Sequence, residues 1–125
     1  MSCGCLKSSY GEMVIENILK ENNILYKKEY EFENLLSENK IPLRFDFAIL
    51  NNFNQVIRII EYDGEQHYLT KTNNFWKNDS LEKRQQRDKI KNEYCLNNNI
   101  KLVRIPYWEK NNITYEMIMG DEYLI

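Results

Sequence analysis

Apolar residues at helical spacing, Met13, Val14, Ile15, Ile18 and Leu19, follow Ser9-Tyr10-Gly11-Glu12, in which Ser9 and Glu12 have the spacing of a capping box. They predict a helix over 10–21, ended by Asn22-Asn23. The stretch 24–32 is mixed, but Tyr30 and Phe32 alternate with Glu29 and Glu31, which suggests a short edge strand. Residues 43–50, Leu-Arg-Phe-Asp-Phe-Ala-Ile-Leu, alternate. Leu43, Phe45, Phe47 and Ile49 are expected on one face, and Arg44, Asp46, Ala48 and Leu50 on the other. Asn51-Asn52-Phe53-Asn54 is a turn signal, so 55–63 should return as a partner strand and bring Asp46 within about two positions of Glu61.

Beyond that strand, 64–78 reads as a loop carrying Phe75 and Trp76. Asp79 or Ser80 can then cap a long helix to about Leu96, on which Arg84, Arg87, Asp88 and Lys91 share one face. Asn97-Asn98-Asn99 breaks it, Ile100 to Ile105 reads as a buried strand stopped by Pro106, and 113–119 as a short closing helix. A helix between the strands at 55–63 and 100–105 makes them candidates for parallel neighbours joined by a right-handed crossover. The expected fold class is α/β: a small mixed β-sheet flanked by helices on both sides, forming one domain over 1–125 with 1–8 as a tail.

Composition changes this picture little, and charge changes it more. No apolar run approaches the roughly 18–20 residues that span a bilayer, and the first residues lack an apolar signal core, so no membrane partner and an intracellular location are expected. Cys3, Cys5 and Cys95 have no framework spacing, which argues against structural disulfides. Cys3-Gly4-Cys5 reads as an inert tail or the remnant of an upstream zinc-binding or DNA-reading module. The net charge of −2 is segregated. Between Lys77 and Lys91 six cations face three anions, and the rest of the chain is acidic. That distribution suits carboxylates holding divalent cations beside a basic helix that meets phosphates.

The concentrated chemistry lies where the apolar run 56–60 stops on Glu61, Asp63, Gly64, Gln66 and His67, the chain's one histidine. Phosphodiester hydrolysis needs an activated water and neutralisation of charge on the transition state, and divalent metals supply both. Asp46, Glu61 and Asp63 are the candidate metal ligands, suited to Mg²⁺ or Mn²⁺. His67 is a candidate general base and Gln66 a candidate water-positioning group. The capping box explains Glu12 without chemistry. Arg84, Arg87, Lys89 and Lys91 are candidate DNA contacts, with a solvated face as the alternative.

Taken together, Ser9-x-Gly11-Glu12-x-x-Ile15, Arg44-Phe45-Asp46-Phe47, Ile60-Glu61-Tyr62-Asp63-Gly64-Glu65-Gln66-His67-Tyr68, Arg87-Asp88-x-x-Lys91 and Leu102-Val103-Arg104-Ile105-Pro106-Tyr107 resemble the restriction-endonuclease-like, PD-(D/E)xK superfamily. Within it, the likeness is to phage and mobile-intron homing endonucleases related to very-short-patch repair nucleases. The resemblance implies a metal-dependent DNA endonuclease. Asp46 and Glu61 would be metal ligands, and Glu12 an assisting helix-borne acid. Asp63, Gln66 and His67 would complete the site, Asp88 and Lys91 would support it, and Arg44 would join the DNA contacts. The chain departs from the pattern where a lysine is expected two residues after the second acid. Asp63 stands there, which leaves Gln66, His67 or Lys91 to serve. A two-fold homodimer is the natural arrangement for double-strand cutting. The alternative is a nuclease-like fold retained as a nucleic-acid-binding module without catalysis.

Overall fold

The computed structural model describes residues 10–37, 40, 42–63 and 75–124, with the helical residues 75–81 described by their backbone alone. Helix α1 (Tyr10–Glu21) is followed by strands β1 (Tyr26–Leu36), β2 (Pro42–Leu50) and β3 (Val56–Asp63). Helix α2 (Phe75–Asn97), strand β4 (Lys101–Pro106), a 3-10 turn (Tyr107–Glu109) and helix α3 (Tyr115–Met119) complete the order. The strands form one sheet in the order β1-β2-β3-β4. β2 pairs antiparallel with β1 and β3, and β3 pairs parallel with β4. The mixed α/β sheet flanked by helices is therefore as the pattern implied.

Each face of the sheet has its own core. Ile15 and Leu19 of α1 and Met117 and Ile118 of α3 pack on Phe47, Ile60, Tyr62 and Val103. Ile90, Tyr94 and Cys95 of α2 pack with Phe45, Ala48, Ile59 and Leu102. Each large side chain buried this way contributes about 1.5–3 kcal/mol. The described apolar contacts of α2 come from Ile90, Tyr94 and Cys95, and Asp88 and Lys91 of the same helix reach the end of the sheet where β3 turns to carboxylates.

The asparagine breaks have a backbone cause. Asn23 and Asn99 adopt the left-handed conformation, at φ 56° and 59°. The next residues donate back into the helices, Ile24 N–H to the Leu19 carbonyl and Ile100 N–H to that of Cys95. Both helices thus end in the same motif with asparagine in the position that glycine usually fills. In the β2–β3 turn the Asn51 side chain accepts from the N–H groups of Phe53 and Gln55, and Asn54 takes φ 62°. Arg58, buried beside α3, donates to the carbonyls of Ile118 and Gly120 and so closes that helix's end.

The structure differs from the sequence pattern in four places. β1 is an edge strand of 11 residues, longer than the alternation suggested. α2 begins at Phe75, so Phe75–Asn78 are helical and not loop. α3 starts only at Tyr115, where the Thr114 side chain accepts from Met117 N–H. The last difference concerns β2, whose faces exchange: Phe45 packs with Leu43 under α2, whereas Phe47 and Ile49 pack under α1. β1 turns over at the same place, with Tyr26 on the α1 side and Tyr30 and Phe32 on the α2 side. The rung between is Glu29 and Asp46, which the flanking pairs Lys28 with Phe47 and Tyr30 with Phe45 set opposite one another. Glu29 has φ 51°, a strained value for a residue with a side chain.

Candidate active site

Asp46 sits where the β2–β3 ladder stops. The last backbone-paired rung before it is Phe47 with Ile60. One step further, side chains take over the hydrogen bonding. The Asp46 N–H donates to Glu61 Oε2 at 3.2 Å, and Asp46 Oδ2 accepts from the Tyr62 N–H at 2.8 Å. The two carboxylates are thereby fixed against one another where the pairing of the two antiparallel strands stops, as the hairpin reading anticipated.

Glu61 and Asp63, both buried, share the β3 face that α2 covers. In the parallel register Glu61 stands beside Arg104 of β4. The Arg104 guanidinium donates from Nη1 to Asp63 Oδ1 at 3.1 Å and to Glu61 Oε1 at 3.4 Å, and from Nη2 to Asp88 Oδ1 on α2 at 3.2 Å. Burial pulls its proton affinity down, but the charges of Asp88, Glu61 and Asp63 outweigh that and raise it. Lys91, one turn along α2 from Asp88, brings Nζ to 3.4 Å from Glu61 Oε1 and donates to the Arg44 carbonyl at 2.6 Å. Its ammonium also lies 4.9 Å from the Phe45 ring centroid. The exchange of faces at Asp46 is what puts that ring beneath it.

Asp46 is the acid of this cluster that pairs with no cation among the described residues. Its carboxyl is pushed up to about 7, first by burial and then by the charge of Glu61, with Glu12 adding to the rise. The Tyr62 N–H and the Lys91 charge act the other way. Glu12 reaches this neighbourhood because of the residue before it. A Cβ on Gly11 would fall 2.3 Å from Cε1 and Cζ of the Tyr62 ring, so only glycine lets the first turn of α1 lie flat on that ring.

The sequence-nominated residues thus divide. Asp46, Glu61, Asp63, Asp88 and Lys91 converge, with Glu12 close enough to act on Asp46. Ser9, Gln66 and His67 lie outside the described residues. Arg87 and Lys89 are exposed on α2, and Arg84 is half-buried. Arg44 is exposed and pairs with Glu29 and Glu31 across β1. Of the proposed ligand set Asp46, Glu61 and Asp63, the last two are both paired with Arg104, and Glu61 with Lys91 as well. Among the described residues no three His, Cys, Asp or Glu side chains form a ligand group on their own. Arg104 is the member that sequence reading missed. Its signal was there: a charged residue inside the buried run Leu102-Val103-Arg104-Ile105 needs acceptors around it, acids or carbonyls.

With the geometry in view, comparison with known proteins places the chain. A family described as "Protein of unknown function (DUF2726)" matches residues 18–117. The chain belongs to the DUF2726 family. The matched span contains the whole sheet, α2 and the acid–base cluster, and leaves Gly11 and Glu12 outside it. The chain is also 39% identical over 57 residues to uncharacterized protein 307L of Invertebrate iridescent virus 6. That stretch makes up 45% of this chain and 28% of the viral protein, so the chain spans little more than a quarter of that relative's length. No solved structure matches. Among the described residues, no helix is long and apolar enough to cross a membrane.

Proposed function

We propose that this chain is a divalent-metal-dependent phosphodiester hydrolase acting on DNA, built on a restriction-endonuclease-like core. One observation carries the reading: Asp46 and Glu61, from adjacent antiparallel strands, are locked together at the end of their ladder with the Lys91 ammonium 3.4 Å from Glu61. The resemblance expects a lysine where Asp63 stands. Lys91 supplies an ammonium to the same acid from α2, which supports the reading despite the departure.

The donor set fits a hard cation. Among the described residues Asp46, Glu61, Asp63 and Asp88 gather around Arg104 and Lys91, and the charge of Glu12 also bears on Asp46. Mg²⁺ is commonly held by one or two carboxylates, with water and substrate phosphate oxygens completing its shell, and Asp46 with Glu61 provides that minimum. When bound there, such an ion supplies charge neutralisation at the phosphate and a more acidic water. The protein's own groups do the rest. Asp46 gives up its proton close to neutral pH, which completes the negative pair. Lys91, fixed by the Arg44 carbonyl and the Phe45 ring, offers positive charge to a phosphate oxygen beside Glu61. Arg87, Lys89, Arg84 and Arg44 are placed by this reading along the DNA backbone.

A second reading is a DNA-binding module that does not cut. It is favoured by the way Arg104 and Lys91 already satisfy Glu61, Asp63 and Asp88. Incubating supercoiled plasmid with the protein, with Mg²⁺, Mn²⁺ or EDTA, separates the two. Metal-dependent conversion to open circle, absent in Asp46→Ala, supports the hydrolase. Salt-sensitive binding without cutting supports the module. Direct conversion to linear product would point to two copies acting together.

A further inference from the structure

The position of Lys91 bears on how a cation reaches the site, a question that rests on the hydrolase reading. A divalent ion held by Asp46 and Glu61 has to take an oxygen of Glu61, and both oxygens already have partners. Oε1 accepts from Arg104 Nη1 and from Lys91 Nζ, each at 3.4 Å. Oε2 accepts from the Asp46 N–H at 3.2 Å and from Lys91 Nζ at 3.5 Å. Among the described residues Lys91 is therefore the side-chain cation within hydrogen-bonding reach of both. The two cations are held differently. Arg104 is spread over Glu61, Asp63 and Asp88, and a planar guanidinium shared by three acids leaves one only by disturbing its hold on the others. For Lys91 the contacts with Glu61 are the long ones. Its short hydrogen bond, at 2.6 Å, goes to the Arg44 carbonyl, and its ammonium lies 4.9 Å from the Phe45 ring centroid. It thus has a second set of partners, on β2, that does not include Glu61.

We propose that Lys91 competes with the divalent ion for Glu61, and that its ammonium withdraws from this carboxylate, while keeping the Arg44 carbonyl and the Phe45 ring, when the ion binds. The movement asked of it is small. Lysine carries a compact charge on a flexible four-carbon stem, so Nζ shifts without moving the backbone of α2. The side chain is 13% exposed, and the ammonium that leaves Glu61 would be poorly hydrated without the partners on β2. Those partners are what make the exchange affordable. The affinity for the ion is lowered in proportion to the fraction of molecules in which Lys91 still covers Glu61, and a carboxylate that is uncovered in one molecule in ten binds about tenfold more weakly than one that is always free. Lys91 then sets the metal affinity of the site in addition to offering its charge to phosphate.

The test is a calorimetric titration of the full chain with Mn²⁺ at one fixed pH, without DNA and without any measurement of cleavage. Lys91→Met is expected to bind Mn²⁺ at least tenfold more tightly than the wild type, and Lys91→Arg, which keeps the charge, no more tightly than the wild type. Lys83→Met removes the same charge from an exposed position on α2 and is expected to stay within about threefold. A Lys91→Met affinity that is unchanged or weaker overturns this inference and leaves the hydrolase reading standing. Equal tightening in Lys83→Met reduces the effect to net charge and also overturns it. If neither the wild type nor Lys91→Met binds Mn²⁺, the metal reading itself fails. The wild type supplies a second readout that needs no folded methionine variant: the ¹⁵N ammonium signal of Lys91, identified by its loss in Lys91→Arg, is expected to shift and persist as diamagnetic Mg²⁺ is added. A signal that stays in place while Mg²⁺ saturates the site overturns the proposal.

Discussion

Asp46 and Glu61 are joined by a hydrogen bond from a backbone to a side chain, Asp46 N–H to Glu61 Oε2 at 3.2 Å, at the rung where their strands would otherwise pair through backbone carbonyls. Each acid is held by the main chain of its neighbour strand, because Asp46 in turn accepts from Tyr62 N–H. A site built this way does not depend on long flexible side chains finding one another. It depends on where the pairing of β2 and β3 stops, and those strands are fixed by the two cores on either face of the sheet.

The first expected outcome concerns pH. Asp46 is held near 7 in the folded protein against an ordinary value of 3.8. The folded state therefore binds this proton more tightly than the unfolded chain. Stability contributed by Asp46 is fully present below about pH 4 and is lost as pH rises through about 7. Thermal melts in EDTA should show Asp46→Asn gaining on the wild type across that window, by several degrees at pH 8. Asparagine keeps an acceptor for Tyr62 N–H and carries no charge. A constant difference between the two proteins from pH 4 to 8 would contradict the origin given for the shift.

Cation affinity should move in the opposite direction. A divalent ion must displace the Asp46 proton, so its affinity should rise by roughly tenfold per pH unit below 7 and level off above it. Calorimetric titration with Mn²⁺ at several pH values, in buffers of different ionisation enthalpy, measures both the affinity and the proton released. Affinity that is flat from pH 5.5 to 7 would argue against Asp46 as a ligand.

Gly11 offers a structural check. In most helices Gly→Ala stabilises by roughly 0.4–1 kcal/mol. Here the added methyl meets the Tyr62 ring at 2.3 Å, so Gly11→Ala should instead destabilise by about 1–3 kcal/mol, the usual cost of overpacking. Denaturant unfolding gives the sign directly. The double variant Gly11→Ala/Tyr62→Leu should recover part of the loss.

Much of this fold was legible in the chain. Helix α1, the Asp46 strand, the hairpin through Asn51–Asn54 and the parallel pairing of the Glu61 and Leu102 strands all followed from periodicity and turn residues. The exchange of faces at Asp46 was not legible. Alternation assumes an unbroken pleat, and this one is broken by the left-handed Glu29 across the rung and by hydrogen bonds to Glu61 and Tyr62. As a result Phe45, read as lying beside Phe47, supports Lys91 on the other face. The early start of α2 was hidden for a different reason. Phe75-Trp76-Lys77-Asn78 has weak helix propensity, yet the helix includes it. Arg104 went unassigned because its apolar neighbours drew the whole segment into the core, although a buried guanidinium needs acceptors around it.

Lys91 separates chemistry from assembly. Replacing it with methionine keeps an unbranched side chain over Phe45 and removes the ammonium beside Glu61. Cleavage should fall by about 10²–10³, as when one charged or hydrogen-bonding stabiliser is lost from an active site. DNA affinity at fixed salt should change little, because the ammonium is turned inward. Weaker binding with unchanged turnover would instead make Lys91 a backbone contact.

The most direct measurement is the rate of plasmid nicking by wild type and Asp46→Asn at saturating Mg²⁺ and Mn²⁺, with DNA affinity determined on the same samples. Metal-dependent nicking by the wild type, reduced at least about a thousandfold in Asp46→Asn while both proteins bind DNA within threefold of one another, is the expected result. A folded wild type that binds DNA but never cuts it, or an Asp46→Asn that cuts at the wild-type rate, would contradict the assignment of Asp46 and Glu61 as a hydrolytic metal site.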